Sequence, residues 1–204
     1  NTIHALTHTT NLVLAHFGLG PLTEEQMKLM VGDGYRKQIE RSLSACKEGA
    51  MAYYEEAAAL YPRLFQENCL YHLEAYPGMA ELLERMKAAG MRLAVLTNKP
   101  HERGIETVEA VYGAGYFSFI LGEQEGMPKK PDPTGVFRVL KALDQDPARC
   151  LYMGDTNTDM QTALNAGLDA AGAAWGFRSR EELAAYHPKY LADHPLEIAK
   201  MLGI

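Results

Sequence analysis

Asp155 and Asp159 stand four residues apart in the stretch Leu151-Tyr152-Met153-Gly154-Asp155-Thr156-Asn157-Thr158-Asp159-Met160. The apolar run from Cys150 to Met153 reads as a buried strand, Gly154 breaks it, and Asn157 to Ala166 reads as a helix. A carboxylate on the strand-end turn and another on the first helical turn can converge on one point. Such a point lies beyond the carboxyl end of a strand, where open α/β sheets take their ligands. Two acids there suit a hard cation such as Mg2+, which prefers carboxylate oxygens and keeps several waters. The plainer reading makes Asp155 a helix N-cap and Asp159 an acid favoured by the helix dipole.

Two further residues could serve the same chemistry. Thr97 ends a predicted strand, Arg92 to Thr97, and is followed by Asn98-Lys99-Pro100. Its hydroxyl can bond a phosphate oxygen or cap the following helix. Lys130 lies in Pro128-Lys129-Lys130-Pro131-Asp132-Pro133, where three prolines restrict the backbone and direct the lysine stem. Its ammonium can neutralise a phosphoryl group, or it can be a solvated surface charge, the reading that suits Lys129 better. A phosphate ester together with Mg2+ is the ligand pair that uses Thr97, Lys130, Asp155 and Asp159 together.

The elements that position these residues follow from periodicity. Up to Phe65 the apolar residues recur at helical spacing and no strand is evident, which predicts a small helical bundle. From Gly78 onward helices alternate with short apolar runs, the pattern of βαβ units and a parallel sheet. The predicted strands are 92–97, 117–121, 150–153 and 170–175, with helices over 78–89, 101–111, 133–143, 157–166, 179–185 and 195–202. The fold class is therefore α/β with a helical region beside the sheet core.

Composition narrows the partners. With 204 residues, 47% hydrophobic and 23% charged, the chain suits a globular core with a modest insertion. A net charge of -6 supplies no electrostatic footprint for nucleic acid or an anionic membrane. Cys46, Cys69 and Cys150 have no CxxC spacing, which predicts unpaired thiols and a cytoplasmic setting.

The motif residues also resemble a known family. Leu96-Thr97-Asn98-Lys99-Pro100, Lys130-Pro131-Asp132-Pro133 and Gly154-Asp155-Thr156-Asn157-Thr158-Asp159 are similar, in order and spacing, to the second, third and fourth motifs of the haloacid dehalogenase-like hydrolases. Thr97-Asn98-Lys99-Pro100 and Val31-Gly32-Asp33-Gly34 resemble its phosphoglycolate phosphatase branch. The resemblance implies a Rossmann-like parallel sheet core with an inserted α-helical cap. Residues 1–8 are then a linker from the first core strand, 9–72 the cap and 73–204 the core.

That resemblance further implies that Thr97 and Lys130 bind the transferring phosphoryl group, with Asn98 as a second phosphate contact. Asp155 becomes a Mg2+ ligand, and Asp159 supports the metal directly or through water. Arg36 and Lys37 become candidates for substrate recognition, or else part of a solvated helix face. The family's first motif, an Asp-x-Asp that supplies nucleophile and general acid, has no counterpart. Asp144-Gln145-Asp146 has the spacing but reads as a turn before Pro147. The first core strand is accordingly expected upstream of Asn1, flanked by the strands at 92–96 and 150–153, with the present chain a truncated form.

The expected function is Mg2+-dependent hydrolysis of a small phosphate monoester, 2-phosphoglycolate foremost, through an aspartyl-phosphate. A sugar phosphomutase or a non-catalytic phosphate-binding protein are the alternatives. The expected partner is a small phosphorylated metabolite, with no nucleic acid and no membrane, and the chain a monomer or homodimer.

Overall fold

A computed structural model describes residues 1–204, which divide into two compact units, 1–74 and 75–204. The first unit is helical: α1 (Ile3–His16), α2 (Glu24–Met30), α3 (Tyr35–Cys46) and α4 (Tyr54–Asn68). Ile3, Leu6, Val13 and Leu14 are buried along α1, so the helix begins at once and residues 1–8 form no linker. This corrects the expected boundary: the apolar spacing that starts at Ile3 needs a packed helix to bury it.

Thr23 starts α2 with a reciprocal capping box to Gln26. Met27, Ile39, Leu43, Ala57, Ala58, Tyr61 and Phe65 are among the other residues of the buried apolar interior of this unit. A polar group sits within it. Gln38 Nε2 donates to Thr10 Oγ1 at 2.8 Å and to the Tyr61 hydroxyl at 3.2 Å.

The second unit alternates helix and strand: α5 (Met79–Ala88), β1 (Ala94–Pro100), α6 (His101–Tyr112), β2 (Phe119–Glu123), α7 (Thr134–Leu143), β3 (Leu151–Gly154), α8 (Asn157–Ala166), β4 (Asp169–Ala173), α9 (Arg180–Ala184), β5 (Tyr190–Ala192) and α10 (Pro195–Leu202). All strand pairings are parallel, as the crossover helices require. The strands nevertheless form two sheets, β1-β2 and β3-β4-β5, and no ladder joins β1 to β3. Val95 and Leu96 on β1, and Leu151 and Met153 on β3, are part-buried. Strands of parallel sheets are normally covered on both faces.

Leu82, Leu83, Met86, Ala171, Ala192, Ile198 and Ala199 form the apolar centre, with Leu93, Leu151 and Met153 against it. Asp144 ends α7 in the left-handed conformation, and Asp146 caps the short turn Pro147–Arg149. The Asp144-Gln145-Asp146 stretch is thus the turn its sequence suggests. No helix is long and apolar enough to cross a membrane.

Candidate active site

The α8 N-terminus is built by local chemistry. Thr156 is the N-cap: its Oγ1 accepts from the Asp159 N–H at 3.2 Å, and the Asp159 carboxylate returns to the Thr156 N–H at 3.1 Å. Asp155 is therefore not the cap, and stands one residue before it. Gly154 permits the tight exit from β3, because a Cβ there would lie 2.2 Å from Asp159 Cβ.

Asp159 is the hub of this rim. Its Oδ1 receives the Lys130 ammonium at 2.6 Å and the Tyr152 hydroxyl at 3.4 Å. Its Oδ2 accepts from Thr156 Oγ1 at 2.6 Å. Burial alone would raise the Asp159 pKa, but the Lys130 charge and the Thr156 bonds outweigh it and hold the carboxyl below its usual range. Burial likewise works against the Lys130 charge, yet Asp159 reverses this and raises the lysine above its ordinary value. Burial pushes the neighbouring Tyr152 phenol up.

Asp155 has different surroundings. Its Oδ2 accepts from the Phe177 N–H at 3.1 Å, and its carbonyl accepts from the Arg178 N–H at 3.1 Å. Gly176 lies so close that a Cβ would fall 2.2 Å from Asp155 Oδ2. Desolvation, followed by the negative charge of Asp159, pushes the Asp155 carboxyl up to about 6. A carboxylate in that condition is stabilised by an added cation.

The residues present fit a hard cation in part. Asp155 can supply a carboxylate oxygen, whereas both Asp159 oxygens are already bonded to Lys130, Tyr152 and Thr156. No group of three or more His, Cys, Asp or Glu side chains is assembled that could hold a metal by itself. The remaining ligands would have to be water or substrate oxygens, a pattern normal for Mg2+.

Thr97 and Asn98 stand where the β1 ladder shifts register between Leu96 and Pro100. The Thr97 hydroxyl accepts from the Lys99 N–H at 3.2 Å, a local turn bond. It makes no hydrogen bond to Lys130 or Asp155. The Asn98 carboxamide bonds the main chain of Lys130, donating to its carbonyl at 3.1 Å and accepting from its N–H at 2.9 Å. Lys129 is not a solvated charge but pairs with Glu123 at 2.7 Å, at the end of β2.

Arg36 belongs to the first unit, exposed at the start of α3. A hydrogen bond with the Tyr54 side chain raises its pKa, and its guanidinium lies 5.9 Å from the Tyr35 ring centre. Lys37 pairs with Glu40 at 2.7 Å along the same helix, as a solvated face would.

Sequence reasoning missed Tyr152, Gly176 and the Phe177 amide. A tyrosine in a buried run does carry a signal, since its hydroxyl needs a partner when desolvated. Gly176 and the Phe177 amide carry none, because their role exists only once the chain returns to Asp155.

Comparison with known proteins identifies the family. The haloacid dehalogenase-like hydrolase family matches residues 1–173. A phosphoglycolate phosphatase from Mannheimia succiniciproducens is 30% identical over 99% of this chain and 92% of its own length. One from Aquifex aeolicus is 28% identical over 93% of this chain and 84% of its own. Among solved structures, a predicted phosphoglycolate phosphatase from Haemophilus somnus has a TM-score of 0.85 and 25% identity, covering 99% of this chain and 92% of its own. The chain belongs to the haloacid dehalogenase-like hydrolases, in their phosphoglycolate phosphatase-like branch.

Proposed function

We propose that this phosphoric monoester hydrolase uses the rim of Lys130, Asp155 and Asp159 to cleave a small phosphate monoester, with 2-phosphoglycolate the first substrate to test. The observation that carries the proposal is the 2.6 Å Lys130–Asp159 ion pair, formed between the β2–α7 connection and the first turn of α8. A cation held in place by a buried acid is preorganised for charge that develops on phosphoryl oxygens. The chemistry, the relatives' names and the raised Asp155 carboxyl support the same reading.

In this proposal Lys130 steadies the phosphoryl oxygens and Asp159 holds the lysine charged and in place. Asp155 would hold Mg2+, which when bound supplies further charge neutralisation at the phosphoryl group. Thr97 can donate its hydroxyl proton to a phosphoryl oxygen while its oxygen still accepts from the Lys99 N–H. The nucleophile of this proposal is an aspartate carboxylate distinct from Asp155 and Asp159. In-line attack by that carboxylate would form an aspartyl-phosphate and release the alcohol, with a second acid supplying its proton; water would then hydrolyse the aspartyl-phosphate to free phosphate and restore the carboxylate. The cytoplasmic setting belongs to the same proposal.

The test is phosphate release from 2-phosphoglycolate, other phosphometabolites and p-nitrophenyl phosphate, using the full gene product with and without EDTA. Hydrolysis that needs Mg2+ and disappears in Asp155→Ala supports the assignment. Hydrolysis indifferent to both refutes it, and transfer between sugar positions without release of phosphate would identify a mutase instead.

A further inference from the structure

The Lys130 side chain ends in a nearly closed environment, but its backbone lies in a connection without helix or strand, between β2 and α7. A lysine has four flexible torsions, and an ion pair by itself does not fix where the chain carrying it sits. Something else must locate the Lys130 main chain.

Asn98 does this with both ends of one carboxamide. Nδ2 donates to the Lys130 carbonyl at 3.1 Å, and Oδ1 accepts from the Lys130 N–H at 2.9 Å. The two bonds define the amide orientation, since exchanging its oxygen and nitrogen would set donor against donor and acceptor against acceptor. One side chain thus satisfies both polar groups of a single residue, much as a neighbouring strand would. Because Asn98 belongs to β1, the Lys130 backbone takes its position from the sheet.

A second amide ties the same connection from the other side. Asn165 Nδ2 donates to the Pro131 carbonyl at 2.8 Å, while its Oδ1 accepts from Gln161 Nε2 at 2.8 Å. Asn165 lies on α8, the helix that carries Asp159 in its first turn. The lysine and its counter-ion are therefore referred to one helix and one strand.

We infer that Asn98 is a positioning residue for Lys130, setting the ammonium against Asp159 through the Lys130 main chain, rather than a group that contacts substrate through its side chain. The side-chain chemistry is restrictive. Aspartate would keep the acceptor for the Lys130 N–H but place a second acceptor against the Lys130 carbonyl, and alanine would remove both bonds. The kinetic consequence rests on the function proposed above, whereas the placement of Lys130 does not.

Competitive acetylation of the folded protein, with each lysine quantified by peptide mass spectrometry, reads the placement directly. In the wild type Lys130 should acetylate far more slowly than exposed Lys200. In Asn98→Ala, Lys130 should lose much of that protection while Lys189 and Lys200 keep their rates. Asn98→Asp provides the same reading if the alanine variant does not fold, and should also expose Lys130. In the hydrolysis assay, Asn98→Ala should lower kcat by ~10- to 100-fold with KM little changed, the pattern of a displaced catalytic group.

Unchanged Lys130 protection in a folded variant overturns the inference, as does a raised KM with unchanged kcat, which would make Asn98 a substrate ligand. If the wild type hydrolyses no phosphate ester, the proposed function fails, and the acetylation result still decides the role of Asn98.

Discussion

Lys130 Nζ and Asp159 Oδ1 are 2.6 Å apart, and each side chain is about one-tenth exposed. Asp159 at the same time closes the capping box of α8 through Thr156. One carboxylate therefore starts a helix and neutralises a desolvated lysine, so its loss is felt twice.

Asp159→Ala should cost about 3–5 kcal/mol of stability, because it leaves a buried ammonium uncompensated. The double replacement Lys130→Met with Asp159→Leu should recover a large part of this while remaining inactive. Urea unfolding of the three proteins reads both effects. A single variant within about 1 kcal/mol of wild type would mean that water screens the pair.

Asp155 gives a pH-dependent expectation of definite sign. Its folded-state carboxyl titrates near 6, above the ordinary 3.8, chiefly through burial and then the charge of Asp159. The folded protein accordingly holds a proton that the unfolded chain releases between those values. Its contribution to stability is full below 3.8 and is lost as pH rises through about 6. Asp155→Asn should therefore melt higher than wild type at pH 8 in EDTA and show little difference at pH 4. Thermal melts at the two pH values decide this, and the opposite ordering at pH 8 would reject it.

Added Mg2+ should raise the melting temperature of the wild type by linkage and leave that of Asp155→Asn unchanged. The same melts with and without the metal check this. An equal rise in both proteins would remove Asp155 from the list of ligands.

Gly176→Ala tests the close approach to Asp155. The new Cβ would fall 2.2 Å from Asp155 Oδ2 and 2.3 Å from Asp155 Cβ, so the acid or the loop must move, and displacement of the acid is expected. Phosphatase activity should drop sharply, with Mg2+ titration shifted to higher concentration. Activity retained at the wild-type metal requirement would show that the loop yields instead of the acid.

In the first unit, Gln38→Leu removes the donor shared by Thr10 and Tyr61 in the interior. A stability loss of about 1–3 kcal/mol is expected from the polar groups left without it. Urea unfolding measures it. A neutral result would place water within reach of the Tyr61 hydroxyl.

The local elements were legible because their causes are local. Helix α8 begins and ends at the residues its sequence indicates, since a threonine-to-aspartate capping box opens it and Gly167 closes it in the left-handed conformation. The alternation of apolar runs and amphipathic helices from Gly78 onward likewise dictates parallel pairing, as βαβ connections leave no other short route. The strand at Tyr190–Ala192 escaped notice, because three residues carry too little pattern to stand out from a loop.

Sequence alone thus determined the alternating order of helices and parallel strands, and the place of Asp155 and Asp159 just beyond the carboxyl end of β3, because strand direction and a local capping box set that end. Only the tertiary structure decided what each does there. It gave Asp159 to Lys130, left Asp155 against Gly176 and the Phe177 amide, joined Lys129 to Glu123, and turned the Asn98 amide onto the Lys130 backbone. These contacts link residues distant in the chain, and they depend on separations of a few tenths of an ångström that no periodicity or propensity encodes.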